Sequence, residues 1–232
     1  MSITTLATSL RPTTRCANRC SWGVTRRFPQ LKFLFLEGGV GWARSLLGDI
    51  KGYWEKRNRE VVFNYDPRRI DRGQFSSLYQ RYGGKMIREA GPDTQSALPL
   101  ARGNDTDEFD DFARCKIERK QDIPELFVPP FYFGCEADDP ITSSAFDAKR
   151  NPFKARLNVV FGSDIGHFDV PDMREVLPEA YEMVEEEMIT TDDFKDFVFT
   201  NAVKLWTGVN PDFFKGTVVE DAVKRVKTNT PA

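Results

Sequence analysis

Leu31-Lys32-Phe33-Leu34-Phe35-Leu36-Glu37-Gly38-Gly39 is the stretch on which the fold class turns. Its apolar run is too short to give a helix a buried face, and it ends at a glycine pair just after a carboxylate. Such a run suits a strand buried on both faces, the kind that parallel sheets contain. Two later stretches repeat the pattern. Leu126 to Cys135 carries Phe127, Val128, Phe131, Tyr132 and Phe133 into Gly134, with Glu136, Asp138 and Asp139 behind it. Leu157 to Phe161 runs into Gly162-Ser163-Asp164. Each strand has its charged residues at the C-terminal end.

The intervening sequence changes period. From Gly41 to Lys56, Trp42, Leu46, Leu47, Ile50 and Trp54 recur at helical spacing. Phe75, Leu78, Tyr79 and Tyr82 do the same from Asp71 to Tyr82, beyond a break at Asp66-Pro67. Residues 91–112 are rich in Gly, Pro, Asp and Asn and are expected to form a loop. Pro171 to Met188 is expected as an acidic helix bent at Pro178. Thr191 is expected to open a capped helix with Asp192 and Asp193 in its first turn and Phe194, Phe197, Val198 and Leu205 on its inner face. Strands alternating with helices predict an α/β fold with a parallel sheet, in which sites gather at the C-terminal ends of strands.

Composition narrows the function classes. The chain has 232 residues, 33 Lys and Arg against 35 Asp and Glu, and a formal charge of -2, which gives no general pull toward nucleic acid. No apolar run reaches the roughly 20 residues of a membrane span, so no membrane partner is expected and a cytoplasmic protein is. Cys16, Cys20, Cys115 and Cys135 lack the paired spacing of a zinc site and are expected as reduced thiols. The start is different in kind: Arg11, Arg15, Arg19, Arg26, Arg27 and Lys32 precede the first acid, Glu37. That composition fits a transit peptide or unrelated upstream sequence. Residues 1–27 are therefore set apart as an atypical basic segment, disordered or non-native.

The acids at the strand ends are the candidates for chemistry. Glu37, Glu136 and Asp164 could each bind a divalent metal through oxygen or act as a base beside metal-bound water. The competing reading is a turn or helix cap, strongest for Asp138-Asp139-Pro140. His167, the single histidine, stands three residues past Asp164 and is expected to line the pocket with Glu136. Arg44 is a candidate anion contact. Gly38-Gly39-Val40-Gly41 matches neither the Walker spacing nor the dinucleotide fingerprint, so close backbone packing explains it better.

Phe28 to Trp42, Val159-Val-Phe-Gly-Ser-Asp-Ile-Gly-His-Phe-Asp169 and Asn201-Ala-Val-Lys-Leu-Trp206 together resemble a strand-turn, the last barrel strand and the closing helix of amidohydrolase-related proteins. These are metal-dependent (β/α) barrels of the aminocarboxymuconate-semialdehyde decarboxylase-like kind. The resemblance covers roughly residues 24 to 220. It implies a partial TIM-like (β/α) barrel holding strands six to eight over residues 28–220, with 221–232 as a C-terminal tail. It also implies a metal-dependent hydrolase or non-oxidative decarboxylase, with one divalent ion (Zn, Mn or Fe) and a small, carboxylated or aromatic substrate. Asp164 then matches the family's metal-ligating, proton-accepting aspartate. Glu37 stands where relatives with decarboxylase activity carry a histidine before the double glycine. The ligands of the family's first and middle strands have no counterpart here, and a full barrel takes about 250 residues. The expectation is therefore a fragment of such a barrel, its sheet edge and apolar inner face open unless a second chain or a homo-oligomer covers them. The rival expectation is a non-catalytic remnant, or a subunit that works beside a partner.

Overall fold

Apolar runs flanked by glycine do become parallel strands, though shorter than their sequence limits. The computed structural model describes residues 4–5, 22–66, 69–85, 89 and 111–229. Its sheet consists of β1 (Thr4–Thr5), β2 (Phe33–Phe35), β3 (Phe131–Cys135) and β4 (Asn158–Phe161), paired in that order with every pairing parallel. Phe33, Leu34 and Phe35 lie opposite Phe131, Tyr132 and Phe133, and Tyr132 to Cys135 lie opposite Asn158 to Phe161. Strands that neighbour each other in chain order show no reversal of the kind found at a doubly wound switch point.

The chain divides into two compact units, residues 1–51 with 121–232 and residues 52–120. In the first, β3 is buried on both faces, while β2 and β4 on either side of it are buried in part. Phe35 stacks on Phe133 at 5.8 Å between ring centres, and Trp42 meets both rings edge-on at 5.1 and 5.5 Å. On the alternate residues, Leu34 and Tyr132 pack with Leu205, and Val160 and Trp206 close around them. The expectation of an open apolar inner face is thus corrected: Leu34 and Tyr132 are 8% and 4% exposed.

The helices follow their periodicity, with several shifts. Trp22–Arg27 forms α1, Gly41–Arg57 forms α2, and Ala43, Leu46, Leu47 and Ile50 are the buried stripe of that second segment, with Val40 buried just before it. Residues 126–130, expected as the start of a strand, are instead the end of α5 (Asp122–Phe127) and a turn, because Pro129 and Pro130 remove ladder donors there. The connection from β3 to β4 departs from the strand–helix alternation, with only two tight 3-10 turns, Pro140–Ala145 and Pro152–Lys154.

The acidic helix is shorter than expected. It starts at Val176 and ends at Glu185 (α6), so Pro178 sits in its first turn, where no intrahelical donor is lost and no bend results. Next, α7 (Thr191–Lys195) opens at Thr191 as expected, with Thr190 as its cap and Asp192 and Asp193 in its first turn, and a wider π-type turn at Asp196–Thr200 leads into α8 (Asn201–Val209). Residues 220–229, mostly within the expected tail, form α9 (Glu220–Asn229) with Val223 buried.

The second unit contains the end of α2, the helix α3 (Arg72–Tyr82) capped by Asp71 through the Gln74 amide, and the short α4 (Asp111–Arg114). There Trp54 meets Phe112 edge-on at 5.2 Å. The loop expected at residues 91–112 lies outside the described residues up to 110, as do Pro67 and most of the basic segment 1–27, including Cys16 and Cys20. Cys115 and Cys135 form no disulfide.

Candidate functional site

Parallel pairing of β2, β3 and β4 sends all three C-terminal ends to one rim, and a candidate acid follows each. Glu37 and Asp164 both adopt left-handed backbone, with φ of 56° and 50°. Aspartate tolerates that region through its short polar side chain, whereas glutamate adopts it at a cost, and such strain is concentrated at functional positions. Gly39 shares the conformation at φ 58° for a further reason: a Cβ there would lie 2.8 Å from an Asp139 carboxylate oxygen. The β2–α2 turn and the β3 exit loop therefore pack backbone against side chain, which is the close-approach reading of the glycine run.

Asp164 and His167 are brought into contact. Nδ1 of His167 lies 3.1 Å from Oδ2 of Asp164, and the His167 amide donates to the Asp164 carbonyl at 3.0 Å. Nδ1 is thus the ring nitrogen turned to the carboxylate, and Nε2 is the one left outside the contact. The imidazole is more than half exposed and the carboxylate about one-third exposed, at 58% and 32%, so the contact orients the ring more than it binds charge.

Glu136 joins this group electrostatically. Its carboxyl is raised above the ordinary glutamate value first by partial burial, then by the neighbouring charges of Asp164, Asp138, Asp139 and Asp169. Glu37 is not among those neighbours, so the rim gathers Glu136 and Asp164 more closely than it gathers all three candidates. Asp169 is the member that sequence reasoning passed over, and its only signal was its position five residues after Asp164 in the same loop. Asp139 behaves as the turn reading requires, accepting from the Ile141 amide at 2.9 Å.

Arg44 does not stand free as an anion contact. Its Nε donates to Oδ1 of Asn151 at 2.7 Å, while the Asn151 amide donates to the carbonyls of Ser144 and Ala155 at 2.9 and 3.0 Å. Asn151 is 5% exposed, and this set of bonds ties α2 to the β3–β4 connection. The bond made by Nε of Arg44 is a structural one.

Among the described residues, no three or more His, Cys, Asp or Glu side chains are arranged to hold a metal ion. Asp164 and His167 supply two donors in mutual contact, one short of the three protein ligands of a catalytic zinc site. By themselves they do not fit the divalent ion that the resemblance implies. No helix among the described residues is long and apolar enough to cross a membrane. Comparison of the chain with protein-family models, curated proteins and solved structures gave no match.

Proposed function

We propose that the chain is part of a hydrolase or non-oxidative decarboxylase of the amidohydrolase type, a partial (β/α) barrel acting on a small carboxylated or aromatic molecule. The observation that carries this reading is the Asp164–His167 contact at the C-terminal end of β4, with Glu136 from the end of β3 beside it. Asp164 holds the imidazole by Nδ1, and Nε2 takes a proton from water in hydrolysis or returns one to the carbon from which carbon dioxide leaves. Glu136, with its carboxyl raised, is the group more ready to hold a proton in the same site. The metal dependence belongs to the resemblance. The described residues provide only a pair of donors for such an ion.

The test is turnover of a panel of small hydroxylated and carboxylated aromatic compounds, followed as carbon dioxide release or hydrolysis, with and without added Zn, Mn or Fe. His167→Gln and Asp164→Asn are each expected to lower kcat by about 10²–10⁴-fold, the usual worth of a general acid–base group. Turnover that survives His167→Gln unchanged rejects the assignment. The two-donor count favours a second reading, a subunit whose site is completed by another chain. It predicts no turnover and less than one metal ion per isolated chain, with both restored only on assembly.

A further inference from the structure

A groove of about 680 Å³ runs from Asp169 along α6 to Phe194 of α7. Its floor is apolar. Val176 is buried, Leu177 and Tyr181 are 52% and 38% exposed, and the Tyr181 ring meets Phe194 edge-on at 5.0 Å. Its walls are acidic: Asp169, Glu175, Glu179, Glu182 and Glu185 line it, and none of the five forms an ion pair among the described residues. Asp172 alone is neutralised, by Arg174 at 2.6 Å. From residue 169 to 187 the sequence holds eight acids and one base, so nothing local offsets the field. A solvated acidic helix would place its carboxylates away from apolar side chains, whereas this one borders an exposed aromatic and leucine floor with them.

We propose that this groove docks a basic peptide segment of a partner protein in extended form. The charge complementarity is one of sign, five acids along one groove, rather than of matched spacing. Glu175, Glu179 and Glu182 follow one face of the helix at steps of about 6 and 4.5 Å from the 1.5 Å rise. Alternate side chains of an extended peptide repeat every 6.6–6.8 Å or so, at about 3.3 Å per residue. Lysine or arginine side chains on one side of the peptide reach the carboxylates, and apolar side chains between them lie on Leu177, Tyr181 and Phe194. The aromatic faces add attraction for the same cations. α6 spans about 15 Å, enough for four or five extended residues. This surface is separate from the Asp164–His167 pair and does not depend on the activity proposed above.

Fluorescence polarisation of a labelled Lys-Leu-Lys-Leu-Lys peptide on the full chain tests it, with Lys-Ser-Lys-Ser-Lys and Glu-Leu-Glu-Leu-Glu as controls. The leucine-bearing basic peptide is expected to bind and to weaken as salt rises. Binding is expected to fall at least tenfold in the Glu179→Lys/Glu182→Lys variant. Leu177→Ser is expected to bring it down toward the level of the serine peptide. All three positions are exposed, and circular dichroism checks that the variants stay folded. No binding at 1 mM peptide, equal binding of the serine peptide, or binding indifferent to the double charge reversal would each overturn the proposal.

Discussion

Glu136 is a carboxylate whose surroundings favour its protonated form, and the consequence for stability has a definite sign. Burial and four neighbouring carboxylates raise its pKa above 4.5, so the folded chain binds this proton more tightly than the unfolded chain does. The charged group therefore costs stability in full above its folded pKa, and the cost disappears as pH falls below 4.5. Glu136→Gln is expected to raise Tm slightly at pH 7 and to leave it unchanged near pH 4. An equal or lower Tm at pH 7 would show that the rim does not repel this charge. Cys135, by contrast, is pushed up to about 12 mainly by its own burial, which keeps the thiol protonated and unreactive in the folded chain.

Helix ends show the opposite electrostatic pattern. At the start of α7, the Thr190 amide and hydroxyl donate to Asp193 at 3.0 and 2.7 Å, and the Asp193 amide donates back to the Thr190 hydroxyl at 3.1 Å, a reciprocal capping box. Arg156 adds a 2.6 Å bond to the same carboxylate. Burial alone would raise this carboxyl, but the bonds from Thr190 and Arg156 outweigh it and hold it below the ordinary value of 3.8. Its contribution is complete above pH 3.8 and is lost as pH falls through the lower folded value. Asp193→Asn is expected to cost about 1 kcal/mol at pH 7, the usual scale of a lost cap, with the gap narrowing in acid. Chemical denaturation at pH 7 and pH 3 measures both, and a gap of the same size at the two pH values would exclude the ionic part. Further on, the π-type turn at Asp196–Thr200 precedes Asn201, whose side-chain amide donates to the Val159 carbonyl at 2.9 Å and so occupies an acceptor of β4. That bond links the helix to the strand whose end carries Asp164.

The sheet-bearing unit is organised around β3, all five of whose residues are buried. Phe133 is the centre, 1% exposed, stacked on Phe35 and met by Trp42. Phe133→Ala is expected to destabilise by about 3–5 kcal/mol, the range for deleting a buried aromatic and leaving a cavity. A guanidinium titration showing a loss below about 1 kcal/mol would mean that the sheet can collapse around the gap or that this core is not formed in solution.

Much of this was legible in the amino-acid order alone, because a strand buried on both faces needs a continuous apolar run and glycine closes it. Phe131 to Cys135 follow that rule in full and Phe33 to Phe35 nearly so, while Asn158 to Phe161 form a strand with only Val159 buried; the buried stripe of α2 follows its own period. Local chemistry also named Glu37, Glu136, Asp164 and His167 as the residues at the strand ends. The three-residue spacing of Asp164 and His167 also pointed to their local contact, whereas the approach of groups from different strands depends on register and loop path. Folding put Asp164 and Asp169 near Glu136, tied Arg44 to Asn151, and laid Leu205 over the sheet face expected to be open. Residue type and period determined the elements, while contacts between residues far apart in the chain decided how they were covered and which polar groups were satisfied.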